Sequence, residues 1–162
     1  MKQLSPKPEA ELDAKIDAVD YKILNLLEED SRLSFNKIAT KAEISVGTAY
    51  NRIKKLEDKG LVRGYTLLVD SAKSGYALTA VIFVQAEGNH LSAVEKEIAQ
   101  DSSVVAVYDV TGEFDAAVVA KFKDRNSLNT FIKALAATPY VKRTITSVSL
   151  NTVKEDFRIK LS

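Results

Sequence analysis

The chain has 162 residues, 46% of them hydrophobic, with 23 basic residues against 22 acidic ones and no cysteine. The missing cysteine excludes disulfides, thiolate metal sites and thiol catalysis, and a single histidine, His90, cannot build a histidine cluster. The length suits one good core or two small ones; no apolar run approaches a membrane span and the start of the chain lacks the apolar stretch of a signal peptide, so the expectation is a cytoplasmic protein without cofactor or metal.

Residues 1–15, with Pro6, Pro8 and scattered charges, carry no apolar periodicity and read as a flexible N-terminal extension. Asp17 then offers an N-cap for a first helix that turns Val19, Ile23, Leu26 and Leu27 inward. Ser34 caps a second helix, in which Phe35, Ile38, Ala39 and Ala42 follow the i, i+3, i+4, i+7 spacing of one face. Ile44 plugs the corner, Ser45 caps a third helix only three residues past Ala42, and Gly60 stops it. The turn between the second and third helices is therefore very short, as in a helix-turn-helix. Its position commonly filled by glycine is Glu43, which costs on the order of 1 kcal/mol if the backbone there is left-handed.

On a wheel at about 100° per residue, Val46, Ala49, Ile53 and Leu56 share the buried sector of the third helix. Gly47, Thr48, Asn51, Lys55 and Asp58 then point away, with Arg52, Lys54 and Lys59 on the flanks and Tyr50 at the edge of the apolar stripe. In a helix whose N-terminal end enters a major groove, Gly47 and Thr48 allow close approach, Asn51 pairs with base edges or phosphate, and Arg52, Lys54 and Lys55 neutralise phosphates; Ser45 and Tyr50 complete the expected contact set. The bland alternative is a solvated surface helix. Charge segregation favours nucleic acid, because residues 31–63 carry eight basic and three acidic side chains, net +5, whereas residues 1–30 carry four basic and eight acidic ones, net −4.

After Gly60 the segment LVRGYTLLVD alternates and is rich in strand formers, which predicts a strand or wing leading through SAKSG to a second unit. The expected divisions are a helix-turn-helix domain at 16–62, a strand or hinge linker at 63–76, a second domain at 77–155 and a tail at 156–162. In that domain the pattern predicts a strand at 78–87, a helix at 91–100, strands at 104–110 and 114–122 around the turn Thr111, Gly112, Glu113, a helix at 127–136 and a strand at 141–153, with His90 in an exposed loop. This βαββαβ order is that of a ferredoxin-like unit, an antiparallel sheet with both helices on one face, so the fold class is α+β. Val81, Phe83, Val105, Val107, Val118 and Ala120 are more apolar residues than one helical layer hides. A partner sheet is the natural lid, hence a homodimer; the alternative is a monomer's ordinary core.

A helix-turn-helix followed by a strand linker and a βαββαβ unit resembles the Lrp/AsnC (feast/famine, leucine-responsive) transcriptional regulators. The resemblance covers residues 16 to about 155 and rests on IDAVDYKILNLLEEDSRLSFNKIA, ISVGTAYNRIKKLEDKGLVRGYTLLVD, VTGEFD at 110–115 and VKRTITSVSL at 141–150. It implies a sequence-specific regulator binding double-stranded DNA, dimers that assemble further, often to octamers, and a small effector, typically an amino acid. It nominates Gly112, Phe114 and Asp115 as the effector turn, with Thr144, Thr146 and Ser147 as neighbours on the last strand. Such a turn offers backbone N–H groups for the ligand's carboxylate and Asp115 for its ammonium; structurally, Gly112 also suits a positive φ, Phe114 packing and Asp115 a turn cap. Two other readings compete: a sequence-tolerant, chromatin-like DNA binder contacting only phosphates, and a small ferredoxin-like enzyme. Against the enzyme, Glu95 and Glu97 do not face each other on a helix, and no phosphate loop, nucleophile elbow or metal-ligand spacing occurs.

Overall fold

A computed structural model describes residues 16–162, so the expected N-terminal extension lies outside the described residues. The chain divides into two compact units, one running to Leu67 and including Asp156–Ser162, the other spanning Leu68–Glu155. The last seven residues thus group with the first unit rather than standing as a separate tail.

The first unit holds α1 (Ala18–Glu29), α2 (Phe35–Ala42) and α3 (Val46–Asp58). Each helix begins where a side-chain oxygen replaces the missing intrahelical acceptor. Asp17 accepts from the Val19 and Asp20 backbone N–H groups, and Asp20 reaches back to the Asp17 N–H, a capping box. Ser34 and Ser45 accept from the N–H groups of Lys37 and Thr48. Gly60 stops α3 at φ +72°, donating to the Glu57 carbonyl while Leu61 donates to Leu56. Ile23, Ile38, Ala39, Ala42, Ala49 and Ile53 form the core of this unit. Two residues expected inside are not: Phe35 is 42% and Val46 45% exposed. Both are the first residues of their helices, where an inward wheel position overshoots the core. Leu24, unexpected, is buried.

The turn between α2 and α3 bends at Glu43, which adopts φ 60° and ψ 43°. There the Glu43 N–H donates to Thr40 and the Ile44 N–H to Ala39, and Ile44 packs on the core. The strain of about 1 kcal/mol is small beside the roughly 1.5–3 kcal/mol gained by burying a side chain such as Ile38.

Residues 61–77 form no strand, in contrast to the expected wing. Alternation alone does not make a strand: among the described residues this segment meets no ladder partner, and Leu67, Leu68 and Val69 stay exposed.

The second unit contains β1 (Leu78–Ala86), α4 (Leu91–Ile98), β2 (Val104–Asp109), β3 (Ala116–Phe122), α5 (Arg125–Ala137) and β4 (Val141–Val148), in an antiparallel sheet of order β2-β3-β1-β4. This is the ferredoxin-like arrangement. Register assigns the faces, since residues directly opposite in a ladder share one. Ala80, Ile82 and Val84 pair with Ala120, Val118 and Ala116, all fully buried against Val94, Ile98, Leu128, Phe131 and Leu135 of the helices. Val118 and Ala120 therefore belong under the helices, as does Val107 opposite Val118, while Val81 and Phe83 lie on the other face, so the apolar set divides between the two sides of the sheet. A bulge between Val104 and Ala106 shifts the parity of β2. The open face carries Val81, Phe83, Ala106, Tyr108, Val119 and Ile145. β4 ends at Val148, short of the expected Val153; the Ser149 N–H still donates to the Thr79 carbonyl of β1 at 2.8 Å. His90 is exposed and stacks on Tyr140, ring centroids 3.6 Å apart.

Urea unfolding tests the corner. At φ 60° Glu43→Val, which puts a β-branched residue in the left-handed region, is expected to lower stability by about 1 kcal/mol, whereas Glu43→Gly is at least as stable as the unsubstituted chain.

Candidate nucleic-acid interface and effector turn

The N-terminal end of α3 is built for display. Ala49, Ile53 and Leu56 anchor one side in the core, while Gly47, Thr48, Asn51, Lys54 and Lys55 are exposed on the rest. The Ser45 hydroxyl accepts from the Thr48 N–H at 3.1 Å and lies 2.8 Å from the Thr48 hydroxyl, so the two side chains hold each other at the helix start. Tyr50, half exposed, presents its ring edge-on to Phe35 at 5.4 Å. Among the described residues Lys54 and Lys55 form no ion pair, leaving their charges for an external anion.

Arg52 differs from its expected role at phosphate. Its Nη1 lies 2.7 Å from Asp17 Oδ2 and 2.8 Å from Asp20 Oδ1, and its side chain is only 30% exposed. The two carboxylates are those of the α1 capping box, so one cation ties the start of α1 to the middle of α3. The Arg52 hydrogen bond, followed by the Asp20 backbone N–H, holds the Asp17 carboxyl below its ordinary range. Asp17, then Asp20, raise Arg52 in return. Spacing alone suggests a solvent-facing flank; the pairing joins positions 35 residues apart and leaves no local signal.

Beside this helix a cavity of about 370 Å³ opens between Leu33, Phe35, Tyr50 and Tyr65. Tyr65 donates to Glu57 Oε1 at 2.9 Å, and burial, then that carboxylate, push its hydroxyl up to about 12.

The nominated effector residues are split. Gly112 stands at φ +128°, a conformation that favours glycine. Asp115 joins three segments: its N–H donates to Val84, its carbonyl accepts from Val110, and Oδ2 accepts from the Ala86 N–H at 2.9 Å. β3 begins at Ala116 rather than the expected Phe114, and the Asp115 backbone bonds carry the pairing one residue past its end. Phe114 packs against Phe83 at 5.7 Å on the open face. Thr144 and Thr146 lie opposite Val84 and Ile82, on the helix-covered side, whereas Ser147 lies opposite Val81 on the other. One face thus brings Phe114 and Ser147 together and excludes the two threonines. In their place stands Arg143, opposite Gln85, with its guanidinium 5.5 Å over the Phe114 ring and Nη1 3.0 Å from Glu113 Oε1. Strand parity in VKRTIT is the signal that could have found it.

Residues 79–159 match the Lrp/AsnC ligand binding domain, and residues 16–63 match a winged helix-turn-helix DNA-binding domain. The chain belongs to the Lrp/AsnC family. An uncharacterized HTH-type transcriptional regulator of Pyrococcus furiosus is 50% identical over 90% of this Lrp/AsnC chain and 99% of its own length. The HTH-type transcriptional regulator FL11 of Pyrococcus horikoshii is 30% identical over 86% and 93%. Among solved structures, the transcriptional regulator NMB0573 of Neisseria meningitidis in complex with L-Met superimposes with a TM-score of 0.82 at 27% identity, covering 88% of this chain and 95% of that one. AsnC of E. coli, at 19% identity, shares the fold with a TM-score of 0.83 over 91% and 100%. These are regulators, and the reading as a small ferredoxin-like enzyme is set aside.

If Arg52 braces α3 rather than touching phosphate, Arg52→Ala lowers the melting temperature by several degrees at neutral pH and leaves the salt dependence of DNA binding unchanged. Because the folded-state pKa of Asp17 is depressed, the brace is complete above the ordinary carboxylate range and is lost as the pH falls through it. The melting difference between the two proteins should therefore shrink from about pH 5 towards pH 3.

Proposed function

We propose that this chain is a sequence-specific, DNA-binding transcriptional regulator that acts as a symmetric oligomer in the cytoplasm and answers to an amino-acid effector. The observation that carries it is the exposed row Gly47, Thr48, Asn51, Lys54 and Lys55 on a helix whose other side is locked in a helix-turn-helix core. Small residues admit the helix to a major groove, Asn51 pairs with a base edge, and the two lysines neutralise phosphates. Ser45 and Thr48 fix the helix start against the backbone, and Tyr50 flanks the contact.

Dimerisation is supported by the open sheet face, where Val81, Phe83, Tyr108 and Ile145 give an apolar surface with Phe83, Tyr108 and Ile145 exposed. A two-fold dimer sets two recognition helices on half-sites about one helical turn apart. Octamers are the further assembly that family resemblance suggests. For the effector, the Gly112 turn supplies backbone N–H groups for a carboxylate and Asp115 a free oxygen for an ammonium group, while Arg143 stands beside Phe114. The L-Met complex of the Neisseria regulator supports an amino acid as the ligand class. Thr144 and Thr146 enter this reading only through the backbone of β4, Ser147 through its open-face side chain.

Binding to a selected palindrome and to random duplex across a salt series checks the DNA reading. Asn51→Ala is expected to cost about 1–3 kcal/mol on the palindrome and far less on random duplex. Lys55→Ala should reduce the salt slope by about one on both. Equal affinities for the two duplexes, with a steep slope, would establish the architectural role instead.

A thermal-shift screen of the amino acids checks the effector. One ligand should raise the melting temperature, and Asp115→Asn should weaken that shift while the fold persists. No shift with any amino acid removes the effector from the proposal.

A further inference from the structure

The cavity of about 370 Å³ beside α3 lies wholly within the first unit, and its lining changes character from bottom to top. Small-molecule sites usually enclose about 300–1,000 Å³ and combine an apolar lining with a few placed polar groups. Here the floor is hydrocarbon, from Leu33, Ile38 and Ile53, the last two almost wholly buried. The walls are three aromatic rings, Phe35, Tyr50 and Tyr65, each about half exposed. Phe35 and Tyr50 meet edge to face at 5.4 Å, so each steadies the other. Tyr65 is steadied by its bond to Glu57 Oε1 at 2.9 Å. With its hydroxyl pushed up to about 12 by burial, then by that carboxylate, Tyr65 stays protonated at neutral pH and keeps donating.

The rim is acidic. Glu57 accepts from Tyr65 through Oε1, which leaves Oε2 for another donor, and among the described residues Asp58 forms no ion pair. Lys54 also reaches the rim, one cation against two carboxylates, and its flexible stem lets the ammonium swing into solvent. Exposed rings beneath surplus carboxylates match a positive charge carried on hydrocarbon. An anion would meet two like charges, and a plain hydrocarbon would leave the carboxylates without a donor.

We propose that this cavity is a small-molecule site apart from the effector turn, and that it takes an organic amine: a protonated amino group on an apolar body. The ammonium donates to Glu57 Oε2 and to Asp58 while the aromatic faces attract its charge, and the apolar body displaces water from the leucine and isoleucine floor. Lys54 belongs to the exposed row of α3 and Tyr50 flanks it, so a bound amine stands beside the surface assigned to DNA. Its charge offsets one of the two acidic side chains of α3, Glu57 and Asp58. On the DNA-binding reading, on which this consequence alone rests, occupancy tightens duplex binding.

Titration of the full chain with phenethylammonium, followed through the Tyr50 and Tyr65 ring signals by NMR, tests the site without DNA. Phenylacetate and phenethyl alcohol serve as its anionic and neutral counterparts. The amine is expected to shift both rings saturably and to bind about tenfold more tightly than either counterpart. Asp58→Asn, an exposed change at the end of α3 that keeps the side chain's shape, should weaken it several-fold, and Tyr65→Ala should weaken it further. The absence of a saturable shift, equal binding of the alcohol, tighter binding of phenylacetate or an unaffected Asp58→Asn each overturns the proposal. For the coupling, a duplex selected from a random pool is titrated at fixed ionic strength. Saturating amine should tighten its binding several-fold in the unsubstituted chain and not in Tyr65→Ala. Unchanged affinity overturns the coupling and leaves the site standing, whereas failure to bind any duplex overturns the DNA reading and leaves the ring shifts to decide the site.

Discussion

Arg52 decides what the rest of the first unit can do. A recognition helix is useful only if its exposed row is held at a fixed angle, and here the angle is set by a guanidinium between two carboxylates, at 2.7 and 2.8 Å. The same carboxylates cap α1. Helix initiation, helix orientation and the placing of Asn51 therefore share one electrostatic knot. Such a knot is partly shielded from solvent, so it differs from the exposed pairs elsewhere on the chain, for instance Lys22 with Glu43 at 45% and 85% exposure, which contribute little. The arrangement also divides labour among cations. Lys54 and Lys55 keep exposed charges suited to phosphate, whereas one guanidinium nitrogen of Arg52, Nη1, serves both internal carboxylates.

The two units are stabilised differently. The second has a continuous apolar layer between sheet and helices, in which Ile82, Val84, Val118 and Val94 are almost wholly enclosed. The first has a smaller core of alanines and isoleucines, and it leans more on caps, the αL corner at Glu43 and the Arg52 knot. A DNA-binding unit of this size gains from such polar fastenings because its apolar burial is limited.

Legibility in the sequence followed the range of the interactions. Caps act within three residues, so Asp17, Ser34, Ser45 and the stop at Gly60 were all evident from local pattern. The βαββαβ order was equally plain, since each element is long enough to show its own period. What escaped was set by partners far along the chain. Among the described residues the 61–77 segment alternates like a strand but meets no ladder partner; Arg52 looks solvent-bound until Asp17 and Asp20 are brought to it; and a single bulge in β2 turns Val107 under the helices while Val105 stays exposed. The effector turn shows both behaviours. Gly112 takes the positive φ that its turn position predicts, but the nominated neighbours on β4 alternate in facing, so Thr144 and Thr146 lie on the side opposite to Arg143 and Ser147.

The irregularity at Val105 has an effect beyond parity. β2 is a border of the sheet, with a row of backbone groups that a foreign strand could match. The extra residue breaks the even spacing of that row and twists it, so a stranger zipping alongside would run out of register after a few bonds. The broken border thus resists strand addition from the side, and the apolar Phe83 and Ile145 face is the surface of the sheet that stays open.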